Sequence, residues 1–338
     1  MTAAYYQGNK TFSLGKSEQR ILKADEVRLE VAYCGICGTD IHIFHGNMDN
    51  RVQIPQVIGH EVSAVIAEIG SGVNGFKIGD KVTVRPLAPG TESPEDNGVT
   101  HIGKNLKFIG IDTPGGMQTS WIVPAYTLHH LPEDMHLHLA ALIEPLSVAC
   151  HDVRLGKVQQ GETVVVLGGG PIGLLIALIA REKGARVIVS EVNSSRLGLI
   201  QSLGFETINP FETDLAEKVK ALTDEAMADI VFEVTGTAFG AETMTSLLKV
   251  RGRIVMVAIH AQSKQVDLFR FFWKELQMVG ARVYEPEDFE KAISVVAEDR
   301  LPLDRIITKI LPLEEVQEAF EMIDKNPEGM KYLLKCSD

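Results

Sequence analysis

The sequence has few cysteines, no long apolar run and no leader-like start. Its four cysteines are scattered through 338 residues, which excludes a small disulfide-stabilised scaffold. The longest apolar stretch, around residues 172–180, is too short to cross a bilayer. The amino terminus carries neither the apolar core nor the cleavage pattern of a signal peptide. We therefore expect a cytoplasmic protein without a membrane partner.

Positive charge is in the minority. The chain has 33 lysines and arginines against 45 aspartates and glutamates, for a net charge of −12. Such an acidic chain repels nucleic acid and anionic membranes, so we expect neither as a partner. The composition is otherwise that of a folded protein, with 45% hydrophobic and 23% charged residues. The length of 338 residues predicts two domains.

The pattern along the chain changes near residue 150. The first 85 residues read as short strands joined by glycine turns, and residues 85–108 read as a loop or lobe. Residues 139–155 read as a helix that Pro145 interrupts. From Glu162 onward, apolar strands alternate with amphipathic helices, which predicts a parallel sheet covered on both faces. The predicted fold class is therefore α/β, with a β-rich part and a doubly wound part.

A glycine-rich turn opens the doubly wound part. The letters GGGPIG place Gly168, Gly170 and Gly173 in the G-x-G-x-x-G pattern of a dinucleotide site. The pattern follows an apolar strand and leads through Pro171 and Ile172 into a helix, which is the context that the motif requires. Glycines there permit a tight turn and let the backbone approach a pyrophosphate at the helix N-terminus.

The strand after this turn ends in a carboxylate that predicts the choice of cofactor. Glu191 lies 18 residues after Gly173, where a carboxylate accepts hydrogen bonds from the adenosine ribose and repels a 2′-phosphate. This favours NAD over NADP. Arg196 either flanks the adenine or is an ordinary surface charge.

The amino-terminal part contains residue types that zinc accepts. Cys37, His60 and the neighbouring Glu61 offer sulfur, nitrogen and oxygen donors. No cysteine follows Cys34 and Cys37 until Cys150, so an open catalytic site fits this inventory better than a closed four-thiolate site. Two plainer interpretations are a small buried apolar role for Cys34 and a hydrogen-bonded strand position for His60. The spacing alone does not decide between these and a metal site.

Taken in order, the motifs resemble those of a known family. They are CGICGTD from Cys34, GHE from Gly59, EPL from Glu144, GGGPIG from Gly168 and the closing MKYLLK. This ordered set resembles the zinc-dependent medium-chain dehydrogenases, and within them the sorbitol, threonine and butanediol dehydrogenase subgroup, over nearly the whole chain. The resemblance implies a GroES-like catalytic domain at residues 1–148, completed by 286–338, and a Rossmann NAD-binding domain at 149–285.

The resemblance also implies a ligand set. It places Cys37 and His60 on one catalytic zinc and puts Glu144 where other alcohol dehydrogenases have a cysteine. Glu61 matches a carboxylate beside the metal that exchanges as a ligand, and Asp40 matches the acid that orients His60. Neighbouring strand residues point to opposite faces, so His60 and Glu61 reach one metal only with a local turn. We therefore rank Glu144 above Glu61 as the third ligand.

The sequence departs from many relatives in one place. They carry a lobe with four closely spaced cysteines that hold a structural zinc, whereas residues 85–108 contain no cysteine. We expect one zinc per chain and no structural zinc.

The implied reaction moves a hydride between a secondary alcohol, or the matching ketone, and NAD. Zinc lowers the pKa of the alcohol, and Thr39 resembles the hydroxyl that takes the proton. The proton then passes by way of the cofactor ribose to His42 near solvent, a role that suits histidine. His45, Arg51 and Trp121 either line the substrate pocket or have packing and surface roles. Polyols, sugar acids, vicinal diols and hydroxy amino acids all fit as substrates.

Two other functions compete with this one. A zinc-free quinone or enone reductase of the same superfamily has no use for Cys37, His60 and Glu144 together. A non-catalytic, NAD-binding redox sensor has no use for a proton relay. In the preferred interpretation we expect a homo-oligomer, either a dimer or a tetramer.

Overall fold

A computed structural model describes residues 1–337. They form two compact units. The first comprises residues 1–144 together with the chain from Phe289 onward, and the second comprises Pro145–Asp288. The second unit is thus an insertion in the sequence of the first. The α/β class predicted from the sequence is confirmed.

The elements follow one another in a regular order along the chain. The strands are β1 (Thr2–Tyr6), β2 (Phe12–Lys16), β3 (Glu26–Ile36), β4 (Gln56–Val57), β5 (Glu61–Ile69), β6 (Lys81–Val84), β7 (Leu87–Ala88), β8 (Lys107–Phe108), β9 (Ser120–Pro124), β10 (Leu128–His130), β11 (Thr163–Leu167), β12 (Arg186–Ser190), β13 (Glu206–Ile208), β14 (Ala228–Glu233), β15 (Leu248–Met256), β16 (Gln277–Gly280), β17 (Ile307–Pro312) and β18 (Lys331–Lys335). The α-helices are α1 (Gly38–Phe44), α2 (Leu137–Ala140), α3 (Ile143–Leu155), α4 (Pro171–Glu182), α5 (Ser194–Ser202), α6 (Leu215–Leu222), α7 (Ala238–Thr243), α8 (Leu268–Lys274), α9 (Pro286–Ala297) and α10 (Val316–Lys325). Short 3₁₀ helices span Pro94–Asp96, Thr100–Ile102, Ala125–Thr127, Met244–Leu247, Leu303–Ile306 and Leu313–Glu315.

The first unit is built on a mainly antiparallel sheet. Its strands run in the order β10, β6, β5, β3, β18, β17, with β9 also paired to β3. Alternation along β3 buries Val27, Leu29 and Val31, as a strand with one face on a core requires. Because β18 pairs with β3, the last strand of the chain lies beside the strand that leads to Cys37.

The second unit is a parallel sheet with helices between its strands. The six strands run in the order β13, β12, β11, β14, β15, β16, so the order reverses between β11 and β14. Val164, Val165 and Val166 of β11 are fully buried, which explains the continuous apolar run in the sequence. Ligands bind such sheets outside the carboxyl ends of the strands at the point of reversal.

The helix predicted over residues 139–155 is interrupted in a different place from the one expected. The chain leaves the helical path between α2 and α3, and Pro145 lies in the first turn of α3. A proline is accommodated there because the N–H groups of the first turn have no partner within the helix. This start also places Glu144 in the first turn of α3.

The cysteine-free lobe is held by a carboxylate and short backbone pairings. Asp96 accepts hydrogen bonds from the backbone N–H groups of Ser93, at 2.7 Å, and Lys104, at 2.8 Å. These bonds hold the pKa of Asp96 below its ordinary value. The short strands β7 and β8 pair across the base of the lobe.

The longest helix described is α3, with 13 residues. Within residues 1–337, none of the helices combines the length and the apolar character of a membrane span.

Candidate metal and dinucleotide sites

Cys37 lies at the junction between strand β3 and helix α1. Its backbone N–H donates to Oδ2 of Asp40 at 2.9 Å, which closes a capping box at the start of the helix. The thiol is therefore held at a fixed point where the strand ends. Cys34, three residues earlier, is fully buried, as predicted, and burial raises the pKa of its thiol well above the ordinary value.

A turn at Gly59 brings His60 and Glu61 close to Cys37. Gly59 has φ +100°, and a Cβ there would lie 2.7 Å from Cys34 Sγ, so only glycine fits. Strand β5 begins at Glu61 and His60 precedes it, so the alternation of a regular strand does not apply to this pair. Donor atoms of Cys37, His60 and Glu61 all lie within 4.8 Å of one another.

The charges of this cluster fit a bound zinc ion. Nδ1 of His60 and Oδ1 of Asp40 lie 3.7 Å apart, and neither has a hydrogen-bond partner in the described part of the chain. Burial lowers the pKa of His60, but the charges of Asp40 and the hydrogen-bonded Cys37 outweigh it and raise the pKa to about 10. The ring therefore stands in a negative field that a cation would neutralise. Thiolate, imidazole and carboxylate are also the donors that zinc takes.

Two carboxylates compete for the third ligand position. Glu61 belongs to the compact donor cluster with Cys37 and His60. Glu144 is 4% exposed, and its charge raises the pKa of His60 and of Lys331, so it acts on the same region. The preference for Glu144 over Glu61 stays a prediction.

Sequence reasoning missed Lys331. Its ammonium lies within hydrogen-bond distance of both carboxylate oxygens of Glu61 and also donates to the carbonyl of Ile36. The residue is 3% exposed although it belongs to a mostly apolar strand. A lysine at a buried strand position in MKYLLK was the available signal, because a buried ammonium needs an anionic partner.

Thr39 and His42 both lie on α1, three residues apart and hence on one side of the helix. Thr39 is half-buried and His42 is exposed. His42 is thus more accessible to water than Thr39, as the predicted relay requires of the residue that releases the proton. Their catalytic roles stay predictions.

The other three candidates for the substrate pocket all have hydrogen-bond partners within the first unit. Nε2 of His45 lies 2.6 Å from Oδ1 of Asp324. Arg51 makes a two-point ion pair with Asp112, at 2.5 and 2.7 Å. Trp121 is 2% exposed, and its indole N–H donates to the backbone carbonyl of Pro114.

The glycine-rich turn lies between β11 and α4 in the second unit. Gly168 has φ +99°, and a Cβ on Gly173 would lie 1.8 Å from the carbonyl oxygen of Gly168. The turn therefore closes only with glycine at both positions. The helix begins at Pro171 with Gly170 as its N-cap, so free N–H groups remain available at its first turn for a phosphate.

Glu191 follows strand β12 beside this turn. It is 7% exposed, and its oxygens accept hydrogen bonds from the backbone N–H groups of Gly169, Val192 and Asn193, at 2.7–2.9 Å. Arg196 lies 4.0 Å from the same carboxylate. The carboxylate thus connects the glycine turn to the end of β12, where the adenosine ribose is expected.

Comparisons with known proteins match both parts of the chain. A model of the alcohol dehydrogenase GroES-like domain matches residues 23–133, and a model of the zinc-binding dehydrogenase family matches residues 171–298. The chain is 52% identical over 338 residues to the 2-dehydro-3-deoxy-L-galactonate 5-dehydrogenase of Pseudoalteromonas atlantica, with 100% of this chain and 99% of the relative covered.

Two further similarities extend over nearly all of the chain. It is 33% identical over 319 residues to the sorbitol dehydrogenase of Halalkalibacterium halodurans, covering 93% of this chain and 92% of the relative. A solved structure from Sinorhizobium meliloti, described as a zinc-binding dehydrogenase bound to NADP, superposes with a TM-score of 0.92 at 28% identity, covering 99% of this chain and 98% of that one.

Proposed function

Because the chain belongs to the zinc-dependent alcohol dehydrogenase family, we propose that its substrate is a sugar acid and that it oxidises the 5-hydroxyl of 2-dehydro-3-deoxy-L-galactonate. The reaction class predicted from the sequence is confirmed by the matched families and the dehydrogenase relatives. The protein is an oxidoreductase that acts on secondary alcohols. The substrate itself is the proposal, and its support is the 52% identity to the galactonate-type relative over the full chain.

The donor cluster in the first unit carries the catalytic part of the proposal. Cys37, His60 and Glu144 would hold one zinc ion, since Lys331 already engages both oxygens of Glu61. When bound, zinc supplies a Lewis acid that lowers the pKa of the substrate alcohol. Asp40 lies against the far nitrogen of His60 and would orient its ring.

Side chains of α1 would remove the proton. The half-buried hydroxyl of Thr39 would accept the proton of the alcohol while it passes its own proton on, by way of the cofactor ribose, toward His42, and the exposed imidazole of His42 would release a proton to water. This order of transfer is supported because the half-buried Thr39 comes before the exposed His42 on the way to water.

The second unit would hold the nicotinamide cofactor. Gly168, Gly170, Pro171, Ile172 and Gly173 form the turn for the pyrophosphate. We propose NAD as the preferred form, because Glu191 would repel a 2′-phosphate, with Arg196 against the adenosine half. All four cysteines are free, which suits a reducing compartment and supports a cytoplasmic location.

An unpaired sheet edge supports the predicted homo-oligomer. Among the described strands, β16 pairs on one side only, with β15, and all four of its residues are exposed. The preceding helix α8 exposes Phe269, Phe272 and Trp273 by 66–78%. A strand edge beside exposed aromatic residues is suited to pairing with its own copy about a two-fold axis, so we propose a dimer. Phe272→Glu should lower the mass seen by light scattering to that of one chain.

A substrate panel tests the proposed activity. Purified protein is assayed with zinc and NAD on 2-dehydro-3-deoxy-L-galactonate, L-galactonate, sorbitol, 2,3-butanediol and L-threonine. The first should give a kcat/KM at least about 100-fold above the polyols, because a site whose polar groups match a sugar acid would be left with unpaired groups when it holds a polyol. A higher kcat/KM for sorbitol or butanediol would overturn the sugar-acid assignment.

A further inference from the structure

A buried carboxylate and a histidine form a pair at the carboxyl edge of the parallel sheet. Glu233, the last residue of β14, is fully buried and accepts hydrogen bonds from the backbone N–H and the hydroxyl of Thr235. Nε2 of His260 lies 3.0 Å from its other oxygen. A Cβ on Gly240 would lie 2.3 Å from the carboxylate, so close packing fixes its position.

One buried atom of this pair, Nδ1 of His260, has no hydrogen-bond partner in the described part of the chain. In the tautomer that donates from Nε2 of His260 to this carboxylate, Nδ1 is an acceptor. Nδ1 is shielded from solvent and has no partner among residues 1–337. A buried acceptor without a partner costs about 1–3 kcal/mol, so this atom calls for a donor from outside the described chain.

The pair lies beside the dinucleotide turn. Glu233 is in register with Leu167, the last residue of β11, and a Cβ on Gly168 would lie 3.1 Å from the side chain of Thr235. The order of strands reverses between β11 and β14, which is where a dinucleotide crosses the sheet edge. With the adenosine ribose at the end of β12, the second nucleotide half extends over β14 and β15.

We infer that His260, held by Glu233, accepts a hydrogen bond from a hydroxyl of the nicotinamide ribose. This inference rests on the proposed function in so far as the turn binds a dinucleotide. A ribose hydroxyl can donate to Nδ1, whereas an ionised phosphate has no proton to offer. Glu233 is then a positioning residue that fixes the tautomer and the direction of the ring, and it need not touch the cofactor.

Binding of whole and partial cofactors tests the inference. Titration calorimetry measures the Kd of NADH and of AMP, which lacks the nicotinamide half, for the wild type, His260→Ala and Glu233→Gln. His260→Ala should weaken NADH about tenfold, the loss expected for one hydrogen bond in a buried site, and leave AMP unchanged. Glu233→Gln should weaken NADH less, because the amide still accepts from the ring. Gln262→Ala, an exposed position on the same loop, is the matched control.

The possible results distinguish the contact between His260 and the ribose from the proposed oxidation of a sugar acid. Equal loss of NADH and AMP affinity would assign the pair a purely structural role and overturn the inference, as would an unchanged NADH Kd. If His260→Ala does not fold, His260→Phe, which keeps a ring but has no acceptor, is measured in its place with the same expectation. Selective loss of NADH affinity in a protein that oxidises none of the sugar acids would support the ribose contact and refute the proposed substrate.

Discussion

The ammonium of Lys331 lies 2.6 and 2.7 Å from the two carboxylate oxygens of Glu61, and both side chains are almost completely buried. The pair joins β18 to β5 across 270 positions of sequence. A Cβ on Gly35, which lies between them on β3, would be 2.0 Å from the carboxylate, so the glycine leaves the space that the ion pair uses. A buried ion pair of this kind depends on the presence of both partners.

Removing the ammonium should destabilise the protein. Lys331→Met keeps the length of the side chain but leaves the carboxylate of Glu61 buried without a counter-charge. We expect the free energy of unfolding in urea to fall by about 3–5 kcal/mol. Lys309→Met, at an exposed position on the neighbouring strand β17, is the control and should change it little. Adding Glu61→Gln to Lys331→Met should restore most of the loss; a double variant no more stable than the single one would contradict this account.

The part of the fold predicted from sequence depends on local signals. Gly168 and Gly173 are specified within six residues, so the turn and its helix were foreseen. Lys331 and Glu61 meet only because β18 pairs with β3, and no local pattern encodes that pairing. The approach of His60 to Glu61 depends on the positive φ of Gly59, a backbone property that spacing alone does not reveal. The prediction that Pro145 interrupts the helix was wrong, because a proline in the first turn of a helix and a proline that breaks a helix cannot be told apart from the sequence.

One zinc per chain is the second prediction. Among the described residues, Cys37, His60 and Glu61 form a candidate metal cluster in the first unit. A second group in the second unit, His151, Glu285 and Asp288, already has both of its carboxylates paired with Arg154, and Asp96 organises the lobe without a thiol. Elemental analysis of protein purified without chelator should give about one zinc per chain, and Cys37→Ser should lower this to well below one. Two zinc ions per chain in the wild type, or none after reconstitution with zinc, would refute the prediction.

The third prediction concerns the preference for NAD. Glu191→Gln keeps the shape of the side chain and one acceptor oxygen for the backbone N–H groups, but it removes the charge that repels a 2′-phosphate. The ratio of kcat/KM for NAD to that for NADP should narrow by about tenfold or more, a difference of about 1.4 kcal/mol. Glu182→Gln, an exposed carboxylate at the end of α4, should leave the ratio unchanged. An unchanged ratio in Glu191→Gln would mean that the ribose lies elsewhere.

The fourth prediction separates the two members of the proton relay. Thr39→Val keeps the shape of the threonine but removes its donor and acceptor. It should depress kcat and kcat/KM together by about 10²-fold or more, the size of effect expected for losing a general acid–base group. His42→Gln should cost less, because water reaches this exposed position, and it should flatten the acid limb of the pH–rate profile.

Cofactor binding and metal content show whether these effects belong to proton transfer. Thr39 and His42 lie on α1 in the first unit, whereas the dinucleotide turn belongs to the second, so the Kd of NADH and the zinc content should stay at wild-type values in both variants. If Thr39→Val binds zinc and NADH normally and still oxidises the alcohol at nearly the wild-type rate, the proton leaves by another route. Glu61 and Glu144 are then the remaining bases near the donor cluster, and Glu144→Gln measured for zinc content and for rate would distinguish a ligand from a base.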